Sequence, residues 1–161
     1  MICPVCDFDS ADALSILGHI DDLSLLVTLT CDFADRIADK PFDPQATKER
    51  LLAARNWKEN PQAMLEADKV AWASGVSVGN AVKVAKCALM FSKARSAPKK
   101  EALLVSAREL AQEAAQVTAQ CFTNYNAECR RQAKHARALA CTCADRRKVF
   151  GSRLRNSLLA A

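Results

Sequence analysis

The spacing of the apolar residues constrains the fold of this chain more than any other feature. From Ala13 onwards they recur three and four residues apart, which is the repeat of an α-helix with one buried face. Ser10 precedes the first series as a candidate N-cap, and Lys40-Pro41 ends it, because the residue before proline avoids the α conformation. We therefore expect one long amphipathic helix through the positions Ala13, Ile16, Ile20, Leu23, Val27, Thr30, Ala34 and Ile37.

Proline after a capping residue marks the starts of later helices. Asp43-Pro44 and Asn60-Pro61 each combine an N-cap with proline at the first helical position, and Ser96-Ala97-Pro98 gives a similar start. Between them, residues 75–79 are either a short loop or a weak point in a longer helix, since glycine disfavours helix. The sequence therefore predicts helices that begin near residues 44, 61 and 97.

The last third of the chain continues the helical pattern. A poor helix-forming patch, Thr123–Asn126, predicts a break, and residues 128–149 are expected to be helical and basic. Before that break the three-four spacing runs through Leu103, Ala107, Leu110, Ala114, Val117 and Cys121.

Composition supports an all-α fold. The chain of 161 residues has 30 alanines and only four glycines, and its β-branched residues are too scattered to build a sheet. Small alanine side chains let helices approach closely. We expect a single domain, a bundle of five or six antiparallel helices, with a flexible Cys-containing amino terminus over residues 1–9 and a frayed basic carboxy terminus over residues 150–161.

Acidic and basic residues are concentrated at opposite ends of the chain. Residues 1–39 contain eight aspartates against one arginine, a net charge of −7, whereas residues 128–161 contain nine Lys and Arg against two acids, a net charge of +7. These ends either neutralise one another inside the fold or meet a partner. The partner-binding candidates are four acids and four bases: Asp21, Asp22, Asp32, Asp35, Arg130, Arg131, Lys134 and Arg137.

Cysteine spacing raises the question of a metal. Cys3 and Cys6 have the spacing of a zinc knuckle, and Cys141 and Cys143 could supply two further thiolates if the termini meet. Residues two apart on a helix point in different directions, so the second pair requires a broken helix. The alternative is that these cysteines are ordinary thiols, and our expectation is a protein without a cofactor.

No catalytic signature is recognisable. His19 and Asp22 lie three apart, which would place them on one helical face, but no further ligand or base occurs at a suitable spacing. Gly-rich phosphate loops and Ser/His/Asp patterns are missing as well. We therefore expect a protein that is not an enzyme.

The amino terminus has neither a basic start nor a long apolar region, so the sequence predicts no secretory signal. The longest strongly apolar run without charge, Leu23–Cys31, has nine residues, and spanning a bilayer takes about 20. We expect a cytoplasmic protein that makes no membrane contact and is a monomer or a dimer.

Three segments of the sequence are informative together: LSILGHIDD over residues 14–22, CDFADRI over residues 31–37 and DPQATKERLLAARNW over residues 43–57. They resemble a family of small all-α bacterial immunity proteins of the polymorphic-toxin type. The resemblance covers roughly residues 14–120, and the family's later His-rich element has no counterpart in residues 118–126. It implies neutralisation of a toxin by direct binding, without chemistry.

Three functions follow as expectations. The first is a protein-binding module, an immunity or inhibitor protein whose partner is a cognate toxin. The basic chain argues against a nuclease as that toxin, because nucleases are usually basic themselves. The second is nucleic-acid binding through the basic carboxy-terminal helix, and the third is zinc binding through the cysteines.

Overall fold

Seven α-helices and one 3-10 helix form the part of the chain that the structure, a computed structural model, describes, residues 12–140. There is no strand in this range, so the predicted all-α class is confirmed. The helices are α1 (Ala13–Leu17), α2 (Leu23–Asp35), α3 (Pro44–Arg55), α4 (Pro61–Val70), α5 (Val76–Lys93), α6 (Ala97–Gln120) and α7 (Tyr125–Ala140), with the 3-10 helix at Ala71–Ser74 between α4 and α5.

The count exceeds the predicted five or six because the first helix is divided. Helix α1 ends at Leu17 and α2 begins at Leu23, so the expectation of one continuous helix is wrong. Asp22 starts α2 by accepting a hydrogen bond from the Leu25 amide at 3.2 Å. Ile20, between the two helices, is nevertheless buried, and this is why the apolar spacing continues across the break.

Helix α6 holds that break in place from the side. Arg108 Nε donates to the carbonyl of Ile20 at 2.8 Å, and Gln112 Nε2 donates to the carbonyl of Leu14 at 2.8 Å. The Leu14 carbonyl also accepts from the Gly18 amide at 3.1 Å, so Gln112 adds a second hydrogen bond there, whereas Arg108 reaches the carbonyl of Ile20 in the connection between α1 and α2. Contacts with a distant helix, α6, therefore stabilise the break between α1 and α2.

Short polar side chains set the other helix starts. Asp43, Asn60 and Ser96 cap α3, α4 and α6 as the sequence predicts, each accepting from the amide three residues later. Asn124 does the same for α7, at 3.0 Å from the Ala127 amide, and the break between α6 and α7 covers residues 121–124, two residues earlier than the predicted 123–126. Asp12, and not Ser10, caps α1, so part of the acidic excess near the amino terminus serves helix capping.

Helix α5 is the centre of the bundle and packs on α2, α3, α4 and α6. Its glycines have different roles. Gly75 begins the helix with a φ of +99°, a left-handed value that favours glycine. Gly79 lies inside the helix under the Trp72 ring, where a Cβ would come within 2.6 Å of a ring carbon.

Against α5, helix α6 buries mainly small residues. The buried positions are Leu104, Ala107, Ala111, Ala114, Ala115, Thr118 and Ala119, whereas Leu110 is only partly buried. The predicted stripe centred on Leu110 is therefore displaced by about one residue. The reason is close approach: alanine lets the two helix backbones come together where leucine would separate them.

Candidate functional site

A pocket of about 370 Å3 lies between α2 and α7. Helix α2 contributes Asp32, Phe33 and Asp35 to its walls, and α7 contributes Arg131 and His135. The aromatic edge of Phe33 meets the His135 ring at a centroid distance of 6.3 Å. The pocket wall thus combines an aromatic side chain with charged side chains of both signs. Which of these charges are already paired within the fold decides what the pocket can bind.

Asp32 is the most heavily engaged carboxylate of this pocket. Its Oδ1 lies 2.7 Å from Arg55 Nη1, and its Oδ2 lies 2.7 Å from His135 Nε2. Burial by itself would raise the pKa of Asp32, but the hydrogen bonds from His135 and Arg55 outweigh it and hold the pKa below its ordinary value. Asp32 therefore stays ionised at neutral pH and links α2 to both α3 and α7.

Arg55 serves a second acid in the same place. Its Nη2 lies 2.6 Å from Asp35 Oδ2, so one guanidinium on α3 pairs with both Asp32 and Asp35 of α2. Burial would lower the pKa of Arg55, but these carboxylates raise it above its ordinary value. Two of the predicted partner-binding acids thus form an ion-pair cluster within the fold.

A second ion pair lines the pocket, and here the cation comes from the end of α2 and the carboxylate from α7. Arg36, the one basic residue among the first 39, binds Glu128 of α7 with two hydrogen bonds, Nε to Oε1 at 3.2 Å and Nη2 to Oε2 at 2.8 Å. The Glu128 side chain is 4% exposed. The Arg36 guanidinium also lies 4.9 Å from the centroid of the Phe122 ring. A buried bidentate pair of this kind fixes the position of α7 against α2.

The remaining predicted acids are engaged as well. Asp21 pairs with Arg108 of α6, although most of its side chain stays exposed, and Asp22 is the N-cap of α2. His19 is not on a common helical face with Asp22, because the chain leaves the helix after Leu17; its Nδ1 contacts the carbonyl of Ser15 at 2.7 Å. The acids near the amino terminus therefore meet cations from the middle of the chain more often than cations of α7.

The basic residues of α7, unlike these acids, are mostly exposed and without an ion pair within residues 12–140. Buried Glu128, Gln132, Ala133 and Ala136 form the inner face of the helix, so Arg130, Arg131 and Lys134 lie on its exposed side. We call these three the α7 cations. Within residues 12–140 none of them makes an ion pair, and Arg131 also lines the pocket. Arg137, the fourth predicted base, is partly buried and has an interaction of its own.

The four cysteines proposed as zinc ligands, Cys3, Cys6, Cys141 and Cys143, lie outside the described residues, and the predicted terminal segments 1–9 and 150–161 do as well. Within residues 12–140 no group of three or more His, Cys, Asp or Glu side chains is arranged to hold a metal ion. Cys31 is fully buried, and burial raises the pKa of its thiol to about 12. This thiol is therefore protonated and unsuited to nucleophilic chemistry at neutral pH.

A second basic surface was missed by the sequence analysis. Residues 69–100 contain seven Lys and Arg and no acid. Lys93, Arg95, Lys99 and Lys100 of this stretch lie together where α5 turns into α6, and we call them the α5–α6 basic turn. This run has the same net charge, +7, as residues 128–161, so the sequence alone contains the signal.

A search for long apolar helices among the described residues finds none that could cross a membrane. Comparison of the chain with models of known protein families, with curated proteins and with solved structures finds no match. The resemblance to immunity proteins consequently stays a prediction that rests on the segments 14–22, 31–37 and 43–57.

Proposed function

We propose that this protein is a non-enzymatic protein-binding module that engages an acidic surface of its partner through the α7 cations. One observation carries the proposal. Arg130, Arg131 and Lys134 are exposed and form no ion pair within residues 12–140, whereas Asp21, Asp32 and Asp35 are each paired inside the fold. The charge that α2 and α7 leave available to attract a partner at long range is therefore positive and lies on α7.

The pocket beside the α7 cations supports a protein partner. Protein interfaces gain most of their affinity from a few side chains that fill pockets, and charges at the rim add steering and specificity. The α2–α7 pocket, of about 370 Å3, offers the Arg131 guanidinium and the half-exposed His135 ring to an inserted side chain, while Phe33 in its wall is almost fully buried. Tyr125 and Leu139, both exposed large side chains of α7, add apolar contact area on the same helix.

The resemblance to immunity proteins suggests the partner class. A cognate toxin with an acidic surface fits the positive face, and a basic nuclease does not, because two positive surfaces repel each other. Inhibition would then arise by occlusion of the toxin surface, with no chemical step in this protein.

The experiment is a comparison of two triple variants of equal charge. R130Q/R131Q/K134Q removes the α7 cations, and K93Q/R95Q/K99Q removes three exposed cations from the α5–α6 basic turn. The wild-type protein and both variants are immobilised and exposed to extracts of the source cells, and captured proteins are identified by mass spectrometry. The proposal predicts a protein that the wild type and the turn variant retain and the α7 variant loses.

Binding is then measured with the purified partner at two salt concentrations. We expect the association rate to fall in the α7 variant and to become less sensitive to salt, since long-range steering depends on that charge. A partner that binds the α7 variant as fast and as tightly as the wild type refutes the assignment of the interface.

A further inference from the structure

The α5–α6 basic turn has no role in the function proposed above, yet its four cations outnumber the three α7 cations and none of them forms an ion pair within residues 12–140. Of the seven cations in residues 69–100, two are neutralised: Lys69 pairs with Glu66, and Lys86 lies 2.6 Å from Asp68 Oδ2. Lys83 lies over the Trp72 ring, 5.1 Å from a ring centroid. The four cations that remain form the turn.

Nothing in the described residues neutralises these four. Lys93, Arg95 and Lys99 are exposed and make no ion pair within residues 12–140, and Lys100 rests over the Phe91 ring at 5.3 Å. Glu101 is the one acid that follows directly in the sequence, and it is exposed without an ion pair in the same range. The local charge is therefore close to +3, on a surface that water and a partner can both reach.

The turn presents these charges on a rigid support. Lys93 is the last residue of α5, and Lys99 and Lys100 lie in the first turn of α6, with a connection of three residues between the helices. Ser96 Oγ accepts from the Lys99 amide, which fixes the start of α6. The backbone that carries the cations is consequently ordered before any ligand binds, and only side chains must be immobilised.

The surroundings of the turn decide which kind of partner suits it. Its other residues, Ala94, Ser96, Ala97 and Pro98, are small; in the last turn of α5 before it, Met90 is 40% exposed and Phe91 lies under Lys100. A protein interface needs a cluster of larger anchors at its centre, and insertion into a membrane surface needs several exposed large apolar side chains. A nucleic-acid backbone needs neither, because neutralised phosphates and released counterions supply most of the binding energy.

We propose that the α5–α6 basic turn binds the phosphate backbone of a nucleic acid. Contact is to phosphates and carries no sequence information, since the turn exposes no Asn, Gln or aromatic side chain that could read or stack on a base. The surface is separate from the α7 cations and does not depend on the function proposed for them.

The test uses the full-length protein, duplex DNA of two unrelated sequences and fluorescence anisotropy between about 50 and 200 mM salt. The logarithm of the binding constant falls with the logarithm of salt concentration by about 0.9 per contacted phosphate, so four contacts give a slope near −3.6. We expect K93Q/R95Q/K99Q to reduce the slope by nearly 3 and the affinity at low salt by at least tenfold, for both sequences alike.

The control is R130Q/R131Q/K134Q, which removes the same charge from α7 and should retain the DNA affinity of the wild type. Basic residues beyond residue 140 are the same in both variants, so their contribution cancels in the comparison. Equal losses in both variants would show that only net charge matters and would overturn the proposal. An unchanged DNA affinity in the turn variant would overturn it too, including the case in which that variant instead loses binding to vesicles of anionic phospholipid.

Discussion

The Arg36–Glu128 pair makes a quantitative prediction, because it joins α2 to α7 through a buried carboxylate. Replacing Glu128 by Gln keeps the size of the side chain but places an amide NH2 where the guanidinium donates, so at least one of the two hydrogen bonds, at 3.2 and 2.8 Å, is lost. Hydrogen bonds to charged groups contribute about 1.5–3 kcal/mol each, and breaking a fully buried pair costs about 3–5 kcal/mol.

Solvent lowers that figure. The Arg36 side chain is 30% exposed and can rehydrate after the change, so we expect E128Q to reduce the free energy of unfolding by about 2–3 kcal/mol. For a protein of this size 1 kcal/mol shifts Tm by about 2–4 °C, which gives a decrease of about 4–12 °C. Thermal unfolding followed by circular dichroism measures it.

The matched control is Glu59→Gln, since Glu59 is exposed and forms no ion pair within residues 12–140. Its Tm should change by no more than about 1–2 °C. If E128Q and E59Q melt at the same temperature, the buried pair does not fix α7 against α2, and the geometry of the pocket between them is incorrect. A double-mutant cycle with Arg36→Gln separates the interaction of the pair from the effect of each single change.

Three further predictions concern titration, reactivity and packing. The pKa of Asp32 is lowered by its histidine and arginine partners, so its stabilising contribution is complete above the ordinary carboxyl pKa and is lost as pH falls through the lowered value. The Tm difference between wild type and D32N should therefore be clear at pH 7 and should shrink below about pH 4. A difference in Tm that does not change with pH would contradict this. In the native protein the exposed Cys121 should react with iodoacetamide. Cys31 is buried and its pKa is raised to about 12, so it should stay unmodified until the protein unfolds, and peptide mapping of the labelled protein measures both. Rapid labelling of Cys31 would contradict its burial. Ala111→Asp should lower the free energy of unfolding by several kcal/mol more than Leu110→Asp, because Ala111 is fully buried and Leu110 is partly exposed. A denaturant titration that reverses this order would show that Leu110 lies on the buried face of α6, as the sequence predicts.

Helix boundaries marked by local chemistry could be predicted from the sequence. Proline after a capping residue predicted the starts at Pro44 and Pro61, because this signal acts within one helical turn. The weak helix formers at residues 123–126 predicted a break there, but α7 already begins inside that patch, at Tyr125. The break after Leu17 was missed although Gly18 and Asp22 were visible, since buried Ile20 continues the apolar spacing. What holds the break comes from α6, far along the chain, and no local pattern reports it.

The candidate site was predictable in its charges and not in their pairing. The sequence shows an acidic start and a basic end, which suggests that the two could meet. In the structure an acid of the start meets a basic side chain of the end at Asp32 and His135, while Arg55 from α3 pairs with both Asp32 and Asp35, and Arg108 from α6 pairs with Asp21. Which cation reaches which carboxylate depends on helix packing, and the alanine faces that control this packing allow several registers by sequence alone.

We propose that the fold does not use the α7 cations and that they are therefore available to a partner. Thermal unfolding of R130Q/R131Q/K134Q beside Arg55→Gln tests it most directly, because Arg55 binds two carboxylates inside the fold. We predict that the triple variant stays within about 1 kcal/mol of the wild type, whereas the single change at Arg55 costs at least about 2 kcal/mol. A triple variant that is destabilised as much as R55Q would show that the α7 charges belong to the fold and would contradict the account.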